Sequence, residues 1–412
     1  MFEAERQEVP GRGRARPRIG ILMITSISVA QLLQKIDGGV PFLLLDVRND
    51  EELERWKVEG RKPVDTIHRP YFDFLEEESI LDAIPRDRGP IYAICAKGDS
   101  SDLIAAMLRE RGADAANVEG GMLAYGEYLQ PVRVPLDAEE GRFEIWQMNR
   151  RGKGCLSYII RSGGEAVVVD PSRSIGIYEQ FVEGLGARIV AVYDTHVHAD
   201  HISGGPALAK RDQVRYFVAS GPGVTLQLPI APTKDGEQIQ LGGKEGVTLT
   251  VRLLWTPGHT PGSTSLLIGK RHLLTGDTLF VDSVGRPDLG GHVVEWGKML
   301  FHTLRERLAQ LPDDTIVLPA HYASSSEIDA NGVVAGRLGT LRRTVPELQI
   351  RTESEFVEAM KKALKTPPAV YEKIIRVNSG EAVVVNEETA SEWELGKNEC
   401  AASVRKAMEV AS

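Results

Sequence analysis

Residues 195–201, Thr-His-Val-His-Ala-Asp-His, place three imidazoles and one carboxylate within a single short run. The run follows an apolar, strand-like segment at 188–193 and precedes the small residues 203–205. Neutral imidazole suits zinc and iron, and a carboxylate adds a hard oxygen ligand. Because unpaired buried polar groups cost free energy, the run predicts a metal site at a strand end rather than a solvated turn.

Three later segments also bring a metal-ligand residue to the end of a strand or to a tight turn. His259 lies between two Pro-Gly turns. Asp277 follows the strand-like run 274–276, and His321 follows 316–320. Four separate segments thus each carry a metal-ligand residue at a strand end or a turn. We therefore interpret the chain as a metalloenzyme whose ligands come from the strand ends of one scaffold.

These four segments, in this order, resemble the metallo-β-lactamase fold family over about residues 140–345. The resemblance implies an αββα sandwich with the metal at the sheet edges. The candidate ligands are His196, His198, Asp200, His201, His259, Asp277 and His321. The full set would also suit a dinuclear zinc hydrolase such as glyoxalase II, so the ligands alone do not name the reaction.

The sequence Gly-Arg-Pro-Asp at 285–288 resembles the persulfide dioxygenase branch of that fold. The resemblance implies one Fe(II) per chain, bound by His196, His259 and Asp277, with open positions for O₂ and a sulfur substrate. The other candidates are then groups that orient these ligands, or they hold the second of two zinc ions in the hydrolase alternative. These other candidates are His198, Asp200, His201 and His321.

Further site residues follow from the same resemblance. Arg286 would bind a substrate carboxylate with its planar fork, and the alternative is a structural ion pair with Asp288. We also expect Tyr322 and Lys97 to contact substrate. Asp200 and Arg286 are predicted to take part in catalysis.

Upstream, strand and helix patterns alternate through residues 24–132, which indicates a small parallel α/β domain. The domain resembles a rhodanese sulfurtransferase, and Cys95 matches its sulfur-carrying cysteine. Cys95 ends a strand and precedes a loop and a helix, where backbone N–H groups and the helix dipole stabilise an anion or a persulfide. Ser100 stands where the common rhodanese loop carries Arg, and Lys97 is the loop's only cation. A persulfide donor is therefore favoured over thiosulfate, and an inert thiol in a docking domain is the alternative.

Together these features predict a persulfide dioxygenase. It would oxidise a low-molecular-weight thiol persulfide, such as glutathione persulfide, with O₂ to sulfite and thiol. The rhodanese-like domain would transfer sulfane sulfur to or from a thiol such as glutathione. A dinuclear zinc thioester hydrolase of the glyoxalase II type is the alternative, and a homo-oligomer is compatible with either.

Composition excludes several classes of protein. The net charge of −9 argues against the nucleases of this fold, so no nucleic-acid partner is expected. No apolar run reaches 18 residues, so no membrane span is expected. The three cysteines, Cys95, Cys155 and Cys400, are too few for a disulfide framework, which predicts a reducing cytoplasm. Cys155 is predicted to be a packed core thiol.

The expected fold class is therefore α/β and α+β, with a parallel α/β domain followed by an αββα sandwich. We expect a disordered basic tail before the first domain and an extension that packs on the metal domain after the second. The expected boundaries are 1–23 for the tail, 24–132 for the rhodanese-like domain, 133–139 for a linker, 140–345 for the metal domain and 346–412 for the extension.

Overall fold

The computed structural model describes residues 25–136, 143–221, 226–242, 248–364, 366–384 and 386–402. The predicted basic tail at 1–23, residues 137–139 of the predicted linker and residues 403–412 of the extension lie outside these ranges. Among the helices described, none is both long and apolar enough to cross a membrane.

The first part of the chain forms a five-stranded sheet whose neighbouring strands all run parallel, in the order β1-β5-β4-β2-β3. The strands are β1 (Ser26–Ile27), β2 (Leu43–Asp46), β3 (Thr66–His68), β4 (Ile91–Ile94) and β5 (Ala115–Val118). The helices are α1 (Val29–Gly38), α2 (Asp50–Arg55), α3 (Tyr71–Glu76), α4 (Ile80–Ala83), α5 (Asp99–Glu110) and α6 (Gly121–Glu127). This architecture confirms the predicted parallel α/β domain.

Both faces of this sheet are covered, which explains why its strands are apolar along their whole length. Leu44 packs with Trp56 on one face, and Leu45 packs with Ile104 on the other. Ser28 caps the start of α1, and its side chain and backbone form a reciprocal capping box with Gln31.

The second part of the chain forms two six-stranded mixed sheets. The first is β11-β10-β9-β8-β7-β6, from β6 (Gln130–Arg133), β7 (Phe143–Arg150), β8 (Cys155–Ser162), β9 (Glu165–Val169), β10 (Arg188–Tyr193) and β11 (Arg215–Phe217). The second is β12-β13-β14-β15-β17-β18, from β12 (Gln238–Leu241), β13 (Leu249–Trp255), β14 (Thr264–Ile268), β15 (His272–Gly276), β17 (Ile316–Pro319) and β18 (Gly336–Arg337). A short pair joins β16 (Val284–Gly285) to β19 (Ala401–Ala402).

Helices cover the outer face of each sheet. They are α7 (Ile175–Gly184), α8 (Gly205–Asp212), α9 (Val293–His302), α10 (Leu338–Thr344) and α11 (Glu353–Ala363). The later helices α12 (Val370–Asn378) and α13 (Glu387–Trp393) pack instead near the loop that follows β10. Tyr158 and Leu253 lie in the core between the sheets. Tyr178 and Leu208 bring α7 and α8 onto the first sheet, and Leu300 brings α9 onto the second. This layering confirms the predicted αββα sandwich.

Strand β6 differs from the expected boundary. Residues 130–132 were expected to close the first domain and residue 133 to open the linker, but β6 pairs antiparallel with β7. Pro131 led us to expect a linker, because proline cannot donate to a sheet ladder. The sheet accepts it because β6 is an edge strand, where one side of the backbone has no strand neighbour.

The two parts of the chain are joined by buried polar contacts. Trp56 Nε1 donates to the carbonyl of Gly152 at 2.7 Å, and Arg150 Nε donates to the carbonyl of Gly126 at 2.6 Å. The Arg150 guanidinium also binds the buried carboxylate of Glu394 at 2.5 Å. Through Glu394, the C-terminal extension therefore contacts the end of β7, where Arg150 also reaches the first domain.

Candidate metal centre

The predicted ligands come together at one edge of the sandwich. His196 follows β10, and His259 lies on the loop between β13 and β14. Asp277 follows β15, and His321 follows β17. Strands β15 and β17 are parallel neighbours, so their carboxyl ends lie side by side. Leu156 N donates to the Ala320 carbonyl at 2.7 Å and so joins the first sheet to this edge.

His196, His259 and Asp277 form a first cluster whose ligand atoms all lie within 4.8 Å of one another. Oδ2 of Asp277 is 3.6 Å from Nε2 of His196 and 3.4 Å from Nε2 of His259. Two atoms that bind one ion at about 2.1 Å lie roughly 3.0–3.5 Å apart. The spacing of this cluster therefore fits a single ion.

The protonation of the first cluster also fits a cation. Burial lowers the pKa of His196 well below its ordinary value, and burial likewise lowers the pKa of His259, so both rings are neutral at neutral pH. Burial alone would raise the pKa of Asp277, but His321 and His196 outweigh burial and lower it. The cluster thus offers two neutral imidazoles and one carboxylate, the forms in which these residues bind metal.

Hydrogen bonds fix the rings of His196 and His259 through Nδ1. Nδ1 of His259 donates to the carbonyl of Arg286 at 2.8 Å. Nδ1 of His196 lies 2.9 Å from Oγ1 of Thr195, which donates to Asp170 at 3.0 Å. Each ring then carries its lone pair on Nε2, because a second partner on the far nitrogen selects the tautomer.

Asp170 lies behind the first cluster and was not among the predicted residues. Its backbone has φ of +53°, an uncommon conformation for a residue other than glycine. Its carboxylate accepts from Thr195 N at 2.6 Å and from His198 Nε2 at 3.1 Å. The sequence does carry a signal, because Asp170 ends the apolar strand β9 as Asp277 ends β15.

A second cluster contains Asp200, His201 and His321, as the ligand motif led us to expect, together with Cys155. The Cys155 thiol donates to Oδ2 of Asp200 at 3.0 Å. Nδ1 of His201 lies 3.1 Å from Oδ1 of Asp200, and Nε2 of His321 lies 3.1 Å from Oδ2. Cys155 is buried as predicted, but it belongs to this polar cluster rather than to the apolar core.

The second cluster holds two imidazolium cations around one carboxylate. Burial lowers the pKa of His201, but the Asp200 carboxylate outweighs burial and raises it to about 10. Burial also lowers the pKa of His321, but Asp277 and Asp200 raise it well above its ordinary value. These two imidazolium cations in turn hold the pKa of Asp200 well below its ordinary value, against the effect of burial.

The two clusters differ in which polar atoms lack a partner. Over the ranges that the structure describes, Nε2 of His196, Nε2 of His259 and Oδ2 of Asp277 are buried without a hydrogen-bond partner. Nδ1 of His198 is also buried without one. No side-chain atom of Asp200, His201 or His321 belongs to this unpaired set. Buried unpaired groups are costly, so a metal ion fits the first cluster.

Cys400 brings the extension into the centre. Its thiol is grouped with Asp277 and His321, and burial raises its pKa well above the ordinary value, so it is a neutral thiol. The Arg286 amide donates to the carbonyl of Cys400 at 2.9 Å. The Asn378 side chain donates to the carbonyls of His198 and His201 at 2.9 and 2.8 Å. No local pattern in the sequence predicts these contacts.

Arg286 and Tyr322, two predicted substrate contacts, are both buried. Nε and Nη2 of Arg286 donate to the two carboxylate oxygens of Asp288 at 2.7 and 2.8 Å, which is the ion pair we considered as the alternative. Nη1 donates to the carbonyl of Glu399 at 3.2 Å. The hydroxyl of Tyr322 donates to Asn149 at 2.9 Å. Contact of either residue with substrate stays a prediction.

Cys95 forms a separate site in the first domain. The Gly98 amide lies 3.0 Å from its Sγ, and the Ser101 hydroxyl lies 3.2 Å from it. Ser101 is held in turn by Asn117 at 2.7 Å. Lys97 binds Glu388 of the extension at 3.1 Å. The Cys95 loop therefore provides donors for an anionic sulfur, as its position before α5 predicted.

Comparison with known proteins agrees with both parts of the fold. The Rhodanese-like domain family model matches residues 28–128, and the Metallo-beta-lactamase superfamily model matches residues 150–321. A solved metallo-beta-lactamase from Staphylococcus aureus subsp. aureus COL has a TM-score of 0.53 at 25% identity. The match covers 60% of this chain and 75% of that one.

Two curated relatives match about half of the chain. The persulfide dioxygenase ETHE1, mitochondrial, of Bos taurus is 30% identical over 219 residues, which is 51% of this chain and 78% of the relative. The hydroxyacylglutathione hydrolase of Acidiphilium cryptum (strain JF-5) is 33% identical over 211 residues, which is 48% of this chain and 82% of the relative.

The chain therefore belongs to the metallo-β-lactamase superfamily and carries an N-terminal rhodanese-like domain. It is a metalloenzyme of that fold, related at about 30% identity to persulfide dioxygenase and to hydroxyacylglutathione hydrolase, an enzyme of the glyoxalase II type.

Proposed function

We propose that this chain is a persulfide dioxygenase that uses one Fe(II), bound by His196, His259 and Asp277, and that Cys95 of its rhodanese-like domain carries sulfane sulfur. The substrate is a low-molecular-weight thiol persulfide such as glutathione persulfide. Glutathione persulfide, O₂ and water would give glutathione, sulfite and two protons. The sulfane sulfur then loses the four electrons that O₂ gains.

The observation that supports this proposal is the difference between the two donor clusters. Nε2 of His196, Nε2 of His259 and Oδ2 of Asp277 lie close together and lack partners. The polar atoms of Asp200, His201 and His321 are paired with one another, and Nδ1 of His321 also bonds Oδ1 of Asp277 at 2.6 Å. A mononuclear centre needs only the first cluster. Two imidazoles and one carboxylate are the ligand set of non-heme Fe(II) oxygenases, and bound iron would supply open positions for O₂ and sulfur.

The chain's own residues orient the ligand rings, accept a proton and attract an anion. Thr195 and the Arg286 carbonyl hold the two ligand rings with their Nε2 lone pairs toward the ion. Nδ1 of His198 is free to accept the proton of the persulfide when Nε2 donates to Asp170. Asp200 keeps two imidazolium cations beside the site, and their charge attracts an anionic persulfide.

Metal content and O₂ uptake test this proposal. Protein purified without chelator should contain about one iron per chain, as a two-His-one-carboxylate site requires. It should consume O₂ when glutathione persulfide is added, and it should form sulfite. Two zinc ions per chain, with hydrolysis of a glutathione thioester and no O₂ uptake, would overturn it.

The hydrolase is the second candidate, and two observations favour it. The hydroxyacylglutathione hydrolase relative is 33% identical to this chain. Cys155, Asp200, His201 and His321 also lie close enough to bind a second ion together. The same measurements of metal content and thioester hydrolysis decide between the two candidates.

Two variants separate the proposed activities. Asp277→Ala should end O₂ uptake and leave sulfur transfer at Cys95 intact, because a three-ligand site cannot spare its only carboxylate. Cys95→Ser should end sulfur transfer and keep O₂ uptake with ready-made persulfide, because the iron ligands lie in the other domain. If Cys95→Ser also stops O₂ uptake with excess free persulfide, the two sites are not independent.

A further inference from the structure

The Cys95 site opens into a cavity of about 380 Å³ that is separate from the metal centre. Cys95, Lys97, Asp99 and Ser100 line it from the loop side, and Glu52 and Phe72 line it from the opposite side. Cys95 as a whole is only 7% exposed, so a sulfur donor must enter this cavity to reach its thiol.

The cavity carries a net negative charge once its ion pairs are counted. Arg48 is buried and paired with Asp46 at 2.7 Å, and Lys97 is paired with Glu388 at 3.1 Å. Both cations that line the cavity are thereby neutralised. The two lining carboxylates, Glu52 and Asp99 (the latter exposed), have no cationic partner among the residues described.

Helices α3 and α5 both contribute to the cavity lining, and both carry exposed apolar side chains. Phe72 of α3 lines the cavity and is 69% exposed. Leu75 follows it one helical turn later at 48%, and Leu103 of α5 is 45% exposed. Helices α3 and α5 are neighbours in space and share the apolar cluster that contains Phe74 and Ile104. Exposed apolar surface beside a reactive group is typical of an interaction surface.

We propose that the opening of this cavity, lined by Glu52, Phe72 and Asp99, is a docking site. Its partner is a basic protein that carries sulfur as a cysteine persulfide and exchanges it with Cys95. The inference rests on the proposed sulfur-carrying role of Cys95 and adds the class of donor. Small dianions such as thiosulfate are repelled by the unpaired Glu52 and Asp99. A lysine- or arginine-rich surface complements these charges, and apolar side chains of the partner cover Phe72.

The transfer itself is an exchange between sulfur atoms without net oxidation. The Cys95 thiolate attacks the outer sulfur of the donor persulfide, so a bond forms between Sγ and that sulfur. The donor's sulfur–sulfur bond breaks, and its electron pair stays on the donor cysteine as a thiolate. The Gly98 amide, 3.0 Å from Sγ, stabilises the Cys95 thiolate from which the exchange starts and to which it returns.

Two synthetic peptides test the charge preference on the full-length protein. In one, a persulfidated cysteine stands between lysines, and in the other it stands between glutamates. Sulfur on Cys95 is followed by intact-protein mass spectrometry under anaerobic conditions. We expect kcat/KM for the lysine peptide to exceed that for the glutamate peptide by about tenfold at low salt and much less at high salt. Thiosulfate should be a poorer donor than the lysine peptide.

Matched variants test whether the acidic residues of the cavity cause the preference for the lysine peptide. Glu52→Gln with Asp99→Asn should reduce the ratio between the peptides, because glutamine keeps the capping role of Glu52 while its charge is lost. Glu54→Gln with Asp102→Asn removes two acids from the same helices outside the cavity lining and should leave the ratio unchanged. Phe72→Ala should slow both peptides equally.

Equal rates for the two peptides, a preference for the glutamate peptide, or thiosulfate as the best donor would each overturn the docking proposal while leaving Cys95 as a sulfur carrier. If no donor adds sulfur to Cys95, the sulfur-carrying role in the proposed function fails as well. The mass spectrum therefore distinguishes the two failures.

Discussion

Glu394 offers a sharp test of how the extension holds the molecule together. Its carboxylate is almost fully buried and accepts from Arg150 at 2.5 Å and from the Ile202 amide, next to His201, at 2.8 Å. Arg150 also donates to the carbonyl of Gly126 in the first domain. One buried charge thus connects the extension, the ligand loop and the rhodanese-like domain.

Glu394→Gln keeps the size of the side chain and removes its charge, which leaves Arg150 buried without a carboxylate. Breaking a buried ion pair costs about 3–5 kcal/mol, and we expect the lower end because glutamine still accepts one hydrogen bond. In a domain of this size each 1 kcal/mol shifts Tm by about 2–4 °C, so Tm should fall by roughly 6–12 °C. Glu392→Gln, an exposed position on α13, is the control and should change Tm little.

The pH dependence gives a second check on Glu394. Burial raises its pKa, but Arg150 beside it outweighs burial and lowers it below the ordinary value. A lowered pKa contributes stability above the unfolded value of about 4.3 and loses it as pH falls through the folded value. Calorimetry should therefore find the full difference in Tm at neutral pH and a shrinking one below about pH 4. A Tm change at pH 7 no larger than that of Glu392→Gln would refute this account.

Three further variants probe the metal centre. Asp170→Asn should lower iron retention during dialysis against chelator about 10- to 100-fold, because Asp170 orients Thr195 behind a ligand; unchanged retention would contradict that role. Arg286→Ala should lower Tm with KM unchanged if the ion pair is its function, whereas a raised KM at unchanged Tm would support the predicted substrate contact; steady-state O₂ uptake and calorimetry separate these. Cys155→Ala should leave iron content unchanged by elemental analysis, because its thiol bonds to Asp200 outside the first cluster, and a loss of metal would favour the dinuclear alternative.

The residues of the first cluster could be predicted because each follows a local pattern. An apolar strand ends in His196 or in Asp277, and two Pro-Gly turns present His259. Parallel strand order then brings these ends to one edge. Asp170 shows the same pattern and was missed only because a single carboxylate after a strand is a weak signal by itself.

Cys155 and Cys400 could not be predicted as members of the centre. Cys155 begins β8 and reaches Asp200 only because the start of β8 forms a bridge with His321 of the opposite sheet. Cys400 arrives through the pairing of β19 with β16, a contact between residues more than a hundred positions apart in the chain. Such contacts depend on tertiary packing, which leaves no periodicity in the sequence. Pro131 illustrates the opposite error. Proline led us to expect a linker, but a strand forms there because β6 lies at the edge of its sheet.

The contact of the extension with the metal centre has a consequence for how the protein is made. The ribosome adds Cys400 about 80 residues after His321, which corresponds to roughly 4–16 s at about 5–20 residues per second. During that interval all the ligands have been synthesised, but the wall formed by β19 has not. An ion can then enter directly from the surrounding solution. Once β19 pairs, Cys400 covers this side of the centre, so an ion bound before that pairing should exchange more slowly than one bound to a chain that lacks β19.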